Sequence, residues 1–200
     1  MTLVDYGLLH ASTKHYERRG FKRIEAPWLV SSEISDLTRP KVVAQYVVHK
    51  EGGNVLGDGK QKAFVASGEQ SFLYMMAKGY LPKGSYQTIT PCIRNEMFDE
   101  THVKYFIKNE LIITDFTPAT KESALNDIMA AAMAFFRSCV IDPAEVVHVD
   151  TDIGVDIEYH NIEIGSYGYR ESMVGNWIYG TGLAEPRFSR LVDSLGTRRD

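Results

Sequence analysis

An arginine, a phenylalanine and several carboxylates are concentrated between residues 90 and 111. Arg94 and Glu96 follow one apolar run, and Phe106 stands in a second run over residues 105–115. On two adjoining antiparallel strands, an arginine and a phenylalanine can face one nucleotide, because side chains alternate between faces and pair across strands. The planar fork of an arginine suits phosphate oxygens. The same residues also fit a cross-strand or surface ion pair between Arg94 and Glu96, which needs no function.

The elements that would position these residues are strands with irregularly interspersed helices. Apolar periodicity predicts helices over residues 6–19, 70–77, 121–137 and 186–195. Strand patterns occur over residues 21–24, 46–49, 63–66, 86–93, 105–115, 146–149, 155–159, 162–164 and 177–179. A turn-rich segment, residues 51–60, predicts a hairpin between the second and third of these strands. Because several strands follow one another directly, the order favours an α+β fold, an antiparallel β-sheet flanked by helices.

Three separated segments resemble, in order, the three motifs of the class II aminoacyl-tRNA synthetases. Residues 19–30, RGFKRIEAPWLV, resemble motif 1, a helix and a strand that end at a proline near the dimer interface. Residues 90–96, TPCIRNE, and residues 102–111, HVKYFIKNEL, resemble motif 2 of the seryl-type (class IIa) branch. Residues 179–192 resemble motif 3, whose glycines run into a helix that carries an arginine. The resemblance extends over residues 6–195 and implies a truncated, stand-alone class II synthetase-like catalytic core.

The resemblance implies a role in ATP binding for each matching residue. Arg94 would hold the α-phosphate, and Glu96 would lie near the adenine amino group. His102 stands where the family has a basic residue that reaches the terminal phosphate. Phe106 would stack on the adenine, and Arg187 would cover its other face. Arg94 and Arg187 are thus the implied catalytic residues.

Two further segments complete the implied site. Glu163 and Ser166 stand where the family places an acidic and a small polar residue around Mg²⁺ and ATP, and their oxygens suit this hard cation. Glu163 also fits the solvent-facing position of an ordinary strand. Glu69 stands where seryl- and threonyl-type enzymes carry a glutamate that meets the substrate ammonium group. Ser67 and Glu69 equally fit the first turn of a helix.

Composition argues against several other classes of protein. The 200 residues are 44% hydrophobic and 24% charged, which predicts one globular domain over residues 1–200. The two cysteines lie far apart, so neither a disulfide framework nor a zinc site is predicted. A net charge of -4 gives no general attraction to nucleic acid. The absence of a long apolar run and of a signal-peptide pattern leads us to expect a cytoplasmic protein without membrane partners.

The reaction that the resemblance implies is adenylate formation by a homodimer, with ATP and Mg²⁺ as cofactors. An amino acid would be activated and then transferred to tRNA or to another acceptor, such as a carrier protein. No segment resembles an anticodon-binding domain, and five residues separate Glu96 from His102 in a loop that normally helps to place the tRNA.

A catalytically silent paralogue, acting as a nucleotide-binding or regulatory protein, is the alternative. It is favoured by that short loop, by His102 and by Pro186, which directly precedes Arg187 and departs from the family pattern. Motif 3 is preserved if the helix begins at this proline, because proline is tolerated in a first helical turn.

Overall fold

The computed structural model describes residues 4–40, 43–49, 61–95 and 104–199. The helices are α1 (Tyr6–Glu17), α2 (Ser32–Ser35), α3 (Gly68–Ala77), α4 (Lys121–Cys139) and α5 (Arg187–Leu195), with a 3-10 turn at Pro143–Glu145. The strands are β1 (Lys22–Arg23), β2 (Leu29–Ser31), β3 (Val47–Val48), β4 (Lys62–Phe64), β5 (Ser85–Ile93), β6 (Tyr105–Ile113), β7 (Val146–Thr151), β8 (Gly154–Tyr159), β9 (Ile162–Ser172) and β10 (Gly175–Glu185). No helix in these ranges is both long and apolar enough to cross a membrane.

One large sheet organises the fold, with the strand order β1-β5-β6-β10-β9-β8-β7. The first pair, β1 and β5, is parallel, and the other neighbours are antiparallel. A second, small antiparallel sheet has the order β2-β4-β3, and its β3–β4 pair agrees with the predicted hairpin. The prediction of an α+β fold, with an antiparallel sheet flanked by helices, is confirmed.

The two faces of the large sheet carry different layers. Side chains alternate along β6, so that Leu111 and Ile113 enter the larger hydrophobic core while Ile112 enters a smaller one on the opposite face. The larger core is closed by α1, α4 and α5, and the smaller core lies under α3. The smaller core covers only one end of this face of the sheet, so the other end is open to a ligand.

Two strands are much longer than their sequence patterns. The predicted strands over residues 162–164 and 177–179 are the beginning of β9 and part of the first half of β10, which have 11 residues each. Glycines interrupt both patterns, yet in the fold an aromatic ring occupies the space that a side chain would need. A Cβ atom on Gly180, for example, would lie 2.6 Å from Cδ1 of Tyr167. Glycine here permits close packing rather than ending the strand.

A buried polar network attaches α1 to the sheet. The Asn109 side chain on β6 donates from Nδ2 to Ser12 Oγ and to Gln87 Oε1, both at 3.0 Å. The Gln87 amide on β5 in turn donates to the carbonyl oxygens of Thr13, at 3.0 Å, and Phe21, at 3.2 Å. Asn109 and Gln87 are at most 1% exposed. All four N–H donors of the two amides are paired in this way, so the network fixes how α1 lies on β5 and β6.

The two cysteines are free thiols. Cys92 lies inside the fold, where burial raises the pKa of its thiol to about 12, and burial also raises the pKa of Cys139. Both side chains therefore stay protonated and unreactive at neutral pH.

We expect Asn109→Ala to lower the free energy of unfolding by about 2–3 kcal/mol, because it leaves the buried Gln87 oxygen without a donor and opens a small void. Urea denaturation followed by circular dichroism measures this change. Asn176→Ala is the matched control, since Asn176 also lies in the large sheet but is exposed, and it should cost less than about 0.5 kcal/mol. Equal losses in the two variants would contradict the importance of the network.

Candidate functional site

A cavity of about 310 Å³ lies on the α3 face of the large sheet. It is bordered by β5, β6, β9 and β10, by the first turn of α3, and by the segment that carries Arg39. Its walls include every described residue of the predicted site: Glu69, Arg94, Phe106, Glu163, Ser166 and Arg187. Glu96 and His102 lie outside the described residues.

Arg94 and Phe106 meet at one end of the cavity. Phe106 is on β6 opposite Cys92, and Arg94 directly follows β5. The guanidinium carbon of Arg94 lies 4.9 Å from the centroid of the Phe106 ring, and Arg94 Nε donates to the carbonyl oxygen of Ala66 at 3.0 Å. A cation over the face of a ring is an attractive contact. A flat ligand that stacks on this face of Phe106 must therefore move the guanidinium aside.

A β-bulge brings the end of β10 into the cavity wall. Thr181 pairs with Glu110 and Leu183 pairs with Asn109, so Gly182 is an extra residue. Thr181 faces the cavity before the bulge, and Ala184 faces it afterwards, because the extra residue shifts the alternation by one. Space at the bulge is limited, since a Cβ atom on Gly182 would lie 2.9 Å from the Tyr16 ring.

Arg187 is the first residue of α5 and directly follows Pro186. The proline therefore leaves the helix of motif 3 intact. Arg187 Nη1 lies 3.3 Å from Glu163 Oε1, and its Nε is buried without a hydrogen-bond partner among the described residues. A buried donor without a partner is costly, so a ligand oxygen at this position would be stabilising.

Glu163 and Ser166 share the cavity face because of a second bulge. On β9, Gly165 pairs with Ile157 and Glu163 pairs with Glu158, which leaves Ile164 as the extra residue. Without it, residues 163 and 166 would point to opposite faces of the sheet. The Glu163 side chain is 41% exposed, so it is accessible to solvent as well as to the cavity.

Asp156 is a carboxylate beside this pair that our sequence analysis did not select. It lies on β8 opposite Ser166. Burial raises the pKa of Asp156, and the nearby carboxylate of Glu163 adds to the effect. Alternation along β8 gives Asp156 the same face as Glu158, but only the pairing of Glu158 with Glu163 shows that this face is the cavity face.

At the opposite end of the cavity, Glu69 is almost completely buried in a polar cluster. Its Oε1 accepts a hydrogen bond from Trp177 Nε1 at 2.6 Å, and its Oε2 accepts one from Arg170 Nη1 at 2.6 Å. The Arg170 guanidinium also stacks on the ring of Tyr179, 4.1 Å from its centroid. Burial raises the pKa of Glu69, and the charge of Arg170 opposes this rise. Our sequence analysis selected Glu69 alone of these four residues.

Lys108 and Glu110 form a second buried ion pair, with Nζ and Oε1 separated by 2.9 Å. Ser67 donates from Oγ to the other oxygen of Glu110, and Ser67 also caps α3 by accepting from the Glu69 amide. Ser67 thus acts as the helix cap that its position allowed. This contact needs a close approach, since a Cβ atom on Gly68 would lie 2.8 Å from the Glu110 Cβ. Strand alternation from Phe106 points directly to Lys108 and Glu110.

The charge of the cavity favours an anionic ligand. Its described lining contains five basic and three acidic side chains, whereas the whole chain carries a net charge of -4. Low-dielectric walls strengthen the field of such a cluster inside a cleft. Phosphates or carboxylates are the ligands that this arrangement suits.

The sequence matches no protein-family model, and no curated protein is significantly similar to it. Solved structures are similar. The cytoplasmic serine-tRNA ligase of Naegleria fowleri, in complex with AMP, has a TM-score of 0.70 at 15% identity over 92% of this chain and 47% of that chain. The seryl-tRNA synthetase of Pyrococcus horikoshii, complexed with ATP, has a TM-score of 0.69 at 16% identity over 94% of this chain and 49% of that chain.

The pyrrolysyl-tRNA synthetase of Desulfitobacterium hafniense has a TM-score of 0.64 at 16% identity over 96% of this chain and 69% of that chain. The chain thus spans about half the length of the two serine enzymes. These matches confirm that the chain has a class II aminoacyl-tRNA synthetase-like fold. At these identities, the similarity establishes the fold and leaves the activity open.

Proposed function

We propose that this chain is an ATP-binding core, closest to the seryl-type branch, that activates an amino acid as its adenylate and transfers it to an acceptor. The acceptor is tRNA or another molecule such as a carrier protein. The observation that carries the proposal is the convergence of Arg94, Phe106 and Arg187 on one cavity with an excess of basic side chains. The nucleotide complexes of the two serine enzymes are consistent with it.

In the proposed complex, the adenine lies between Phe106 and Arg187, and Arg94 holds the α-phosphate. Arg94 would leave the Phe106 ring and exchange a cation–π contact for a charge-assisted hydrogen bond, which is the stronger interaction. Glu96 near the adenine amino group and His102 near the terminal phosphate complete the proposal. Glu69 can still accept from a substrate ammonium group, because each of its oxygens has a second lone pair.

The proposed reaction needs positioning and charge neutralisation rather than a general base, because the α-carboxylate of an amino acid is ionised at neutral pH. A carboxylate oxygen attacks the α-phosphorus in line, and the bond to the β-phosphate oxygen breaks as pyrophosphate leaves with its electron pair. Arg94 is the catalytic residue that neutralises charge at the reacting phosphate, and Arg187 fixes the position of the adenine.

The residues around Glu163 suit Mg²⁺ as part of this proposal. Mg²⁺ is usually held by one or two carboxylates together with substrate phosphates, and Glu163, Ser166 and Asp156 offer two carboxylates and a hydroxyl. The described residues contain no group of three or more acidic, histidine or cysteine side chains arranged for a metal, so the phosphates would supply the remaining ligands. When bound, Mg²⁺ would neutralise charge on the departing pyrophosphate.

A catalytically silent nucleotide-binding paralogue is the second candidate. It is favoured by the contacts that the proposed ATP ligands already make within the protein, since Arg94 covers Phe106 and Arg187 pairs with Glu163. Exchange of labelled pyrophosphate into ATP, measured with each amino acid in turn, separates the candidates. If the protein activates an amino acid, exchange should occur with at least one of them. ATP binding without exchange would support the silent paralogue instead.

We expect Arg94→Ala to weaken ATP binding by about 10- to 100-fold, because a charge-assisted hydrogen bond to phosphate contributes about 1.5–3 kcal/mol. Isothermal titration calorimetry with ATP and Mg²⁺ measures this. Arg199→Ala removes an exposed arginine outside the cavity, and its ATP affinity should equal that of the wild type. An unchanged ATP affinity in Arg94→Ala would contradict the proposed ATP site.

The proposal includes a homodimer that associates through residues 19–30 and a single domain over residues 1–200. The outer edge of β1 ends the large sheet, and Trp28, which follows β1, is 54% exposed. Aromatic residues are enriched at protein–protein interfaces. Velocity sedimentation at micromolar concentration should show a dimer, and Trp28→Asp should shift it to monomer. A wild-type monomer would contradict this part of the proposal.

A further inference from the structure

Arg170 is held rigidly at the end of the cavity away from Phe106. Its Nη1 is bound to Glu69, and its guanidinium plane lies on Tyr179. Glu69 is itself fixed by Trp177, the residue opposite Arg170 on β10. A guanidinium with one end paired and one face stacked has lost most of its freedom before any ligand binds, which lowers the entropic cost of recognition.

One edge of this guanidinium is available. Among the described residues, Arg170 makes its hydrogen bond through Nη1, and neither Nε nor Nη2 has a partner. These two nitrogens carry parallel N–H donors, the fork that binds both oxygens of a carboxylate. The side chain is 31% exposed and lines the cavity, so a ligand can reach this edge.

The strand register places this edge where the side chain of a bound amino acid would lie. Phe106, Lys108 and Glu110 follow one another on the cavity face of β6, and Tyr179 is opposite Ile112, about 20 Å along the strand from Phe106. Arg170, opposite Trp177, lies two residue pairs beyond Tyr179 and reaches back over its ring. With the substrate ammonium group on Glu69, which Arg170 contacts directly, the substrate side chain would lie within reach of Arg170.

We infer that the amino-acid substrate carries a second carboxylate in its side chain and that Arg170 binds it through Nε and Nη2. This inference rests on the amino-acid site of the proposed function and names its substrate class, the dicarboxylic amino acids. The neighbouring carboxylate of Glu110 is compensated by Lys108, so it does not repel a second carboxylate on the substrate. A neutral side chain would not offer the two carboxylate oxygens that match this fork, which is the kind of difference that makes polar sites selective.

The first test uses the unmodified protein with a non-hydrolysable ATP analogue and Mg²⁺. Calorimetric titration with aspartate and glutamate is compared with asparagine and glutamine, which have nearly the same shape but no side-chain charge. At least one acid should bind about 100-fold more tightly than its own amide. Equal binding of an acid and its amide, tighter binding of the amide, or binding of neither would overturn the inference.

The second test uses Arg170→Gln and Arg170→Lys. The acid-to-amide preference should disappear in Arg170→Gln and fall about 10-fold or more in Arg170→Lys, because lysine keeps the charge but lacks the fork. An arginine that only supports Glu69 would weaken acids and amides equally, and so would one that binds the α-carboxylate. Either result would overturn the inference. ATP affinity and melting temperature are measured alongside, and the wild-type titrations remain decisive if a variant does not fold.

Failure of this inference can be distinguished from failure of the proposed function. Exchange supported by a neutral amino acid would leave adenylate formation standing and remove the dicarboxylic substrate. Selective binding of a dicarboxylic amino acid without pyrophosphate exchange would leave the assignment of Arg170 standing and favour the silent paralogue.

Discussion

The strict alternation of side chains along the large sheet, broken at two places, is the constraint on which the site depends. Gly182 and Ile164 are extra residues in β10 and β9. Each one shifts the alternation by one residue, so the side chains that follow it point to the opposite face from the one they would have in a regular strand. The cavity therefore receives residues from both sides of each bulge. One interruption brings Glu163 and Ser166 together, and the other leads the chain into the helix that begins with Arg187.

The helical face stabilises these irregularities. At the Gly182 bulge, the carbonyl oxygen accepts a hydrogen bond from the buried Tyr16 hydroxyl at 2.9 Å. The amides of Asn109 and Gln87 hold the same helix on β5 and β6. A polar group released from the sheet ladder is thus paired inside the core, where leaving it unpaired would cost about 1–3 kcal/mol. The geometry of the cavity is set in part by residues that never contact a ligand.

Much of the fold could be predicted from local patterns, and the site only in part. The amphipathic period of α4 and the alternation in β5 and β6 are strong signals, and the motif 2 segment on those strands led to Arg94 and Phe106. Arg170 lies in the part of β9 where glycines interrupt the pattern, so it was not found. The bulge at Ile164 depends on pairing with β8, which is a long-range property that no local pattern contains. Asp156 was missed because its neighbours in space are on another strand.

Because Glu69 is paired with both Arg170 and Trp177, substitutions at these three positions affect one another. The three side chains come from α3, β9 and β10, and each one satisfies a group on another. A single replacement would leave a buried charge or a hydrogen-bond acceptor without its partner. Substrate preference at this end of the cavity therefore changes only when two or more of these residues are replaced together. Redesign of the pocket would begin by replacing Glu69 and Arg170 together with a neutral, hydrogen-bonding pair that still accepts the hydrogen bond from Trp177 Nε1.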